Sequence, residues 1–342
     1  MRTIPLCLIG FGNVGQAFAR MLLGKKDTLE KDYQINFIIT AISTGRHGTA
    51  IDREGIDIEK ALQIINSSLS ILSLDKSHSK LNFSELISQS RAEVMLENTP
   101  VNYASGQPAL DHIAVALKAR MHVITANKGA VLHGYQPLTE LALQQHRQFL
   151  FESTVMDGAP IFSLVRKTLP AIELNGFEGI LNSCTNLLLE SMEEGETLDE
   201  AVNYARSIGI TETDPNGDID GWDAAIKVTL LVNVLMNFPI NLEEVNRKGI
   251  RAILPAELQA AKKEGLKWKL VCRAERKDGK VIACVAPEKV STKSPLYSVS
   301  GTSSFILFKT DSLPGLGILE SNPGPETTAY GLLSDLLTIY SK

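Results

Sequence analysis

Two lysines and a group of carboxylates stand at spacings suited to proton transfer and amino-acid binding. Asp223 and Lys227 are four residues apart at the start of the apolar run Trp222–Met236, so one face of a helix carries both. That face continues into apolar residues, and the ion pair is therefore expected to be partly buried. An exposed pair at a helix start would contribute only about a few tenths of a kcal/mol and would need no function. A buried pair asks for a reason. Carboxylates collected in the segment Gly209–Lys227, Asp218 among them, could hold the α-ammonium of an amino acid while Lys227 addresses its carbonyl or hydroxyl oxygen. Asp214, Asn216 and Asp218 also alternate as in a calcium loop. The sixth position of such a loop would be Ile219 instead of glycine and the twelfth Ala225 instead of glutamate, which excludes it.

Lys128 closes the tetrapeptide Thr125-Ala126-Asn127-Lys128, directly after the β-type run His122–Thr125. The carboxyl ends of strands are where open α/β sheets bind ligands. Hydride reduction of a carbonyl leaves an alkoxide that needs a proton and a nearby positive charge, and one lysine can supply both. The plainer alternative is a surface lysine that ends a strand.

A redox reading needs a cofactor site, and the start of the chain carries one. Gly10-Phe11-Gly12-Asn13-Val14-Gly15 fits G-x-G-x-x-G after an apolar strand, Ile4–Ile9, and before an amphipathic helix, Asn13–Leu23. The first glycine permits the tight turn and the second lets the backbone approach a pyrophosphate. The third packs helix on strand, and the helix N-terminus faces the anion. An NAD-selective site would show an acidic residue after the second strand, Ile35–Ile42. Ser43-Thr44-Gly45-Arg46 stands there instead. Hydroxyls with a guanidinium suit a 2′-phosphate, which favours NADP with NAD still open; a solvated loop arginine is the alternative.

The elements that must position these residues form two domains, as a length of 342 residues suggests. Strand candidates Ile4–Ile9, Ile35–Ile42, Glu93–Glu97, His122–Thr125 and Phe149–Phe151 alternate with helical patterns, Pro108–Ala119 and Pro137–His146 among them. That is the texture of an α/β Rossmann domain over residues 1–151. Residues 43–58 and 66–80 read as loops. Residues 152–324 read as an α+β domain. It has a strand at Leu174–Leu181, helices at Leu198–Ile208 and Trp222–Met236, a hairpin Trp268–Ala274 with Lys280–Ala286 around Asp278-Gly279, and a strand at Ser304–Phe308. The helix 325–340 is expected to fold back onto the first domain.

Composition narrows the functional class. A net charge of −5 argues against a nucleic-acid surface. Gly10-Phe11-Gly12 interrupts the N-terminal apolar run too early for a signal peptide, and no stretch reaches the length of a membrane span. Cys7, Cys184, Cys272 and Cys284 show no metal-type spacing and read as reduced thiols. A cytoplasmic protein without membrane or nucleic-acid partners is expected.

The Gly10–Gly15 fingerprint, Thr125–Lys128, Glu152-Ser153-Thr154-Val155, the segment from Gly179 to Asn186 and the block Gly209–Lys227 occur in an order and spacing that resemble homoserine dehydrogenase. The resemblance covers nearly the whole chain, in the short form without a C-terminal regulatory domain. It implies an NAD(P)-dependent interconversion of L-aspartate 4-semialdehyde and L-homoserine, on the way to threonine and methionine. By the same resemblance Lys128, Lys227 and Asp223 are catalytic, the lysines handling the proton at the reacting oxygen. Glu212 and Asp218, with Asn182, Ser183 and Cys184, line the substrate. Gly10, Phe11, Gly12, Asn13, Val14, Gly15, Ser43, Thr44, Arg46, Thr99, Pro100 and Lys128 meet the cofactor. Glu152 with the carbonyls of Val155, Asp157 and Ala159 resembles a site for a monovalent cation, Na⁺ or K⁺. A homodimer paired through the second domain's sheet is implied as well.

Asn182-Ser183-Cys184-Thr185-Asn186 departs from the family's Asn-Gly-Thr-Thr-Asn, which changes the backbone options of a turn beside the substrate. A Rossmann reductase of a related amino acid or semialdehyde is therefore the competing enzyme. A non-catalytic NADP-binding regulator is the competing class, against which the set Lys128, Glu212, Asp223 and Lys227 argues.

Overall fold

The computed structural model describes residues 1–77, 81–211 and 214–340, which divide into two compact units. The first comprises residues 1–158 with the chain from Gly324 onward. Its sheet holds β1 (Arg2–Ile9), β2 (Ile35–Thr44), β3 (Gly48–Ile51), β4 (Val94–Glu97), β5 (His122–Thr125) and β6 (Phe149–Leu150) in the order β3-β2-β1-β4-β5-β6. All neighbours pair in parallel except the β2–β3 hairpin. Continuous apolar runs such as Leu6–Ile9 and Val94–Leu96 are buried on both faces, as parallel strands under helices require. The strand order reverses at β1. Connections therefore leave β1 and β4 toward opposite faces and open a crevice at their carboxyl ends.

Three segments of this unit differ from expectation. The loop at 43–58 contains the end of β2, a tight turn and β3, and the stretch beyond it folds as a helix, Ile58–Asn66, and a 3-10 turn, Ile71–Leu74. A further helix, Phe83–Ser90, starts on a capping box in which Asn82 and Glu85 satisfy each other's backbone N–H groups. The helix expected from Pro137 begins nine residues earlier, at Lys128, and Pro137 lies inside it. Burial of Val131, Leu138 and Ala142 outweighs the one backbone hydrogen bond that proline removes.

The last helix, Pro325–Tyr340, belongs to this unit: Ala329, Leu332, Leu333 and Leu336 share a core with Phe18 and Leu22 of the helix Asn13–Gly24. It also holds Glu152–Gly158 to the first unit. The Glu152 N–H donates to Asp335 at 2.8 Å, and the Ser153 hydroxyl donates to the carbonyl of Thr328 at 2.8 Å.

The second unit, Ala159–Pro323, carries β7 (Leu174–Ile180), β8 (Asn246–Arg247), β9 (Leu266–Lys277), β10 (Lys280–Ser291), β11 (Ser304–Thr310) and β12 (Leu316–Glu320). Their order is β12-β11-β7-β9-β10-β8, antiparallel except for the β8–β10 pair. Asp278 and Gly279 turn the long β9–β10 hairpin with φ of 50° and 74°, the left-handed pair that such a two-residue turn demands. Helices Ser183–Glu193, Trp222–Leu235 and Pro255–Lys263 pack on β9, and the second of these also on β10. Among the described residues no helix is long and apolar enough to cross a membrane.

Candidate active site

In the first unit the three fingerprint glycines have distinct environments. Gly10 is at φ +89°, and a Cβ there would stand 2.5 Å from the carbonyl oxygen of Asn98. A Cβ on Gly15 would meet the carbonyl oxygen of Gly10 at 2.6 Å. Both positions are glycine because the chain packs too closely for anything else. A Cβ on Gly12 would meet nothing within 4 Å among the described residues, so their packing does not require that glycine. The helix after it has neither a side-chain cap nor an acid in its first turn, which leaves its N–H groups for an anion. Phe11 is buried beneath the turn, whereas Gly12 and Asn13 face outward and Val14 is half-buried. Beside the turn, both polar atoms of the Asn98 side chain are buried without a hydrogen-bond partner among the described residues. Open space beside Gly12, a bare helix N-terminus and an orphaned amide fit a dinucleotide at the carboxyl ends of β1 and β4.

The β2–β3 hairpin adjoins this turn through the Gly10 N–H, which donates to the carbonyl of Ser43 at 2.9 Å. The hydroxyls proposed for a phosphate are engaged within the hairpin. Ser43 Oγ lies 3.0 Å from Thr49 Oγ1, and Thr44 Oγ1 accepts from the His47 N–H at 2.7 Å and donates to the carbonyl of Gly48 at 3.2 Å. Arg46, exposed at the tip, has no ion pair or hydrogen bond among the described residues. Of the three residues, only the arginine keeps its polar atoms for a ligand.

Lys128 opens its helix, with Asn127 as the N-cap whose Oδ1 accepts from the Gly129 and Ala130 N–H groups at 3.1 and 3.3 Å. Asn127 Nδ2 donates to the Thr99 carbonyl at 3.0 Å, and more weakly to that of Pro100 at 3.5 Å, joining the loop after β4 to the loop after β5. Lys128 Nζ lies 5.8 Å from the centre of the Tyr103 ring.

The second unit gathers the remaining set. Asp223 and Lys227 pair at 3.1 Å in the first turns of Trp222–Leu235, their side chains only 9% and 13% exposed. Asn182 Nδ2 donates to Asp218 at 2.7 Å and to Asp223 at 2.9 Å, so one amide holds two carboxylates together. Lys227 Nζ donates to the carbonyl of Leu181 at 2.7 Å. Two of its three N–H groups are thus used, and no third acceptor lies among the described residues. Burial, then the Asp218 carboxylate, pushes the Cys184 thiol far up, while Thr211 works the other way. Cys184 is therefore a protonated donor beside Asp218 and no nucleophile. The Asn182–Asn186 segment, expected as a turn, is the start of a helix capped by Asn182, whose Oδ1 accepts from the Thr185 N–H at 2.8 Å. Ser183, half-buried, is the first residue of that helix.

Residues 10–152 match the family model for the NAD-binding domain of homoserine dehydrogenase, and residues 160–337 match the model for homoserine dehydrogenase itself. The chain belongs to the homoserine dehydrogenase family. It is 37% identical to the homoserine dehydrogenase of Methanocaldococcus jannaschii, covering 99% of each chain. It is 31% identical to an NAD(+)-dependent homoserine dehydrogenase of Pseudomonas canavaninivorans, covering 99% of this chain and 97% of that one. A hyperthermophilic archaeal homoserine dehydrogenase in complex with NADPH superimposes with a TM-score of 0.83 at 28% identity, over 99% of this chain and 98% of the other. As a member of this family of NAD(P)-dependent oxidoreductases, the chain uses its first unit to bind the dinucleotide.

Of the residues singled out in the sequence, Asn182, Cys184, Asp218, Asp223 and Lys227 come together in the second unit. Glu212 lies outside the described residues. Glu152 is buried, and the Asp157 side chain accepts from the Thr328 hydroxyl at 2.6 Å. Glu152, Val155 and Asp157 lie in the first unit, whereas Ala159 opens the second. No group of three or more His, Cys, Asp or Glu is placed to hold a metal ion among the described residues. Asn98 and Glu97 stand at the site without having been singled out in the sequence. Glu97 alone left a readable sign, an acid ending the apolar strand Val94–Glu97.

Proposed function

We propose that the protein interconverts L-aspartate 4-semialdehyde and L-homoserine, with NADP(H) as the preferred cofactor. The observation that carries this reading is the cluster of Asp218, Asp223 and Lys227 around the Asn182 amide. Two carboxylates 2.7 and 2.9 Å from one amide donor, one of them balanced by Lys227, leave a net negative charge suited to the α-ammonium of the substrate. The family resemblance makes Glu212, outside the described residues, a further substrate-binding acid. When bound, a nicotinamide dinucleotide would supply the hydride chemistry, in either direction. Lys227, with one N–H left over, gives the proton that the developing alkoxide needs, and Asp223 at 3.1 Å holds the lysine in place and relays its proton. On the family resemblance Lys128 is a second catalytic lysine, and Ser183 and Cys184 line the substrate. Thr99 and Pro100, in the loop tied down by Asn127, flank the cofactor.

Preference for NADP(H) rests on Arg46, whose guanidinium is exposed where an NAD-selective site would carry an acid. The monovalent cation at Glu152, Val155, Asp157 and Ala159 stays part of the reading. A cytoplasmic homodimer is proposed too; exposed Ile282 on β10 and Leu319 on β12 are apolar positions that a sheet-to-sheet contact would cover.

The test is homoserine oxidation followed at the nicotinamide absorbance, with each cofactor and with serine, threonine and malate as controls. Turnover confined to homoserine is expected. Equal or faster oxidation of a control would overturn the substrate assignment, and cofactor binding without any turnover would favour a regulator.

A further inference from the structure

Glu97 ends β4 with its side chain fully buried, and among the described residues no lysine or arginine reaches it. A carboxylate kept in such a place must be held by hydrogen bonds. It accepts from the N–H of Thr99 at 3.3 Å and, at very short range, from the Thr99 hydroxyl. Its other oxygen lies 3.3 Å from the Thr125 hydroxyl, which donates more closely, at 2.8 Å, to the carbonyl of Glu97 itself. Thr125 Oγ1 in turn accepts from the Asn127 N–H at 2.9 Å, and Asn127 Nδ2 returns to the carbonyl of Thr99 at 3.0 Å. The bonds close a ring: Glu97, Thr99, Asn127, Thr125 and back to Glu97. Lys128 is the next residue along the chain, and the Gly129 N–H beyond it is fixed by the Asn127 side chain. Its backbone is therefore pinned on both sides by groups that lead back to Glu97, to its carboxylate through Thr99 and to its carbonyl through Thr125, whose hydroxyl also stands 3.3 Å from the carboxylate. The His112 ring lies alongside, with Nδ1 3.6 Å from the carboxylate, and stacks on Phe83 with ring centres 4.3 Å apart. It walls the carboxylate in without taking its place in the ring.

We propose that Glu97 is a positioning residue for Lys128, fixing through Thr125 and Asn127 where that lysine stands at the carboxyl end of the sheet. A sheet needs no acid here for stability; Thr or Val at the end of β4 would complete the ladder at lower cost. What the carboxylate adds is a common anchor for the loops after β4 and β5, whose separation sets where Lys128 begins. The inference rests on the reading of Lys128 as a group at the reaction, and the experiment separates the two.

Turnover at saturating homoserine and cofactor is measured for Glu97→Gln, Lys128→Ala and the double variant, together with thermal midpoints. Glu97→Gln keeps the shape and one acceptor but loses the other, and misplacement of Lys128 should lower turnover on the order of tenfold to a hundredfold. In the Lys128→Ala background the same change should have no further effect on turnover, because the group it positions is gone. Effects that multiply across the cycle would show Glu97 acting independently of Lys128 and would overturn the proposal. A Lys128→Ala variant that stays fully active overturns the reading of Lys128 and the proposal with it. Thr125→Val breaks the same ring without touching the carboxylate, so it provides the cycle if Glu97→Gln does not fold. Thr125→Ser should restore turnover, which a loss of packing alone would not explain.

Discussion

Asn182 and Asn186 stand one turn apart at the start of one helix, and each serves a different lysine cluster. Asn186 Oδ1 accepts from Lys269 at 2.7 Å, and Lys269 Nζ also donates to Glu190 at 3.1 Å and to the carbonyl of Val299 at 2.6 Å. Glu190 and Asn186 reach on to the N–H and carbonyl of Gly301 at 2.6 and 2.8 Å, so the cluster stitches helix, strand and loop together. All three ammonium protons of Lys269 are used, and its side chain is 1% exposed. Around Asn182 the arrangement is different: Lys227 uses two protons, and two carboxylates share one amide. The first lysine has an acceptor for every ammonium proton, whereas Lys227 keeps one proton without an acceptor among the described residues. The arginines repeat the contrast. Arg273 lies between Glu178 and Glu288, its Nε and Nη1 groups bonded to the two carboxylates, whereas Arg46 has no partner among the described residues. A buried or half-buried cation whose donors are all used holds the fold. One with donors left over is available to a ligand.

The comparison breaks first on stability. Lys269→Met leaves Asn186, Glu190 and the Val299 carbonyl without their donor, and should lower the unfolding free energy by about 3–5 kcal/mol, while turnover per folded molecule stays near that of the parent. Chemical denaturation beside active-site titration checks this, and a loss of turnover with unchanged stability would exchange the roles of the two lysines. Arg46→Ala should raise the Michaelis constant for NADP roughly tenfold to a hundredfold, the range of a lost charge-assisted contact, and leave that for NAD nearly unchanged. An equal shift for both cofactors would return Arg46 to the solvated surface. The smallest effect is a pH slope. Burial, against the pull of Glu190, holds Lys269 below its usual 10.5. Between its folded value and 10.5 the unfolded chain binds more protons, so the stability this group contributes rises with pH in that window and is lost below it. The difference in unfolding free energy between the parent and Lys269→Met, followed from about pH 8.5 to 10.5, should therefore grow with pH; a flat difference would mean that burial leaves the ammonium unperturbed.

What the sequence disclosed follows from where its information is local. Gly10–Gly15, the four-residue spacing of Asp223 and Lys227, and Asp278-Gly279 are short-range patterns with one physical solution each, and the structure has all three. The ring from Glu97 to Asn127 was hidden because it spans 28 residues between Glu97 and Thr125 and is made by neighbouring strand ends. No spacing along the chain encodes that. The helix at Ser183–Glu193 was missed for a different reason: Asn182-Ser183-Cys184-Thr185-Asn186 is a polar, turn-like composition, and only the burial of Leu188, Leu189 and Met192 makes it helical. Pro137 misled in the opposite sense, since a proline usually marks a helix start and here sits well inside one. Glu212, expected from the resemblance to bind the substrate, lies outside the described residues.

The most direct test compares the two lysines in a single experiment: turnover of homoserine with NADP, together with the unfolding transition, for Lys227→Ala and Lys269→Met prepared alike. Lys227→Ala should lose turnover on the order of 10²–10⁴-fold, as expected for a positioned proton-transfer group, with the smaller change in stability, whereas Lys269→Met should show the reverse. If Lys227→Ala keeps more than about a tenth of the parent's turnover, the open lysine is not the proton donor and the chemistry lies elsewhere.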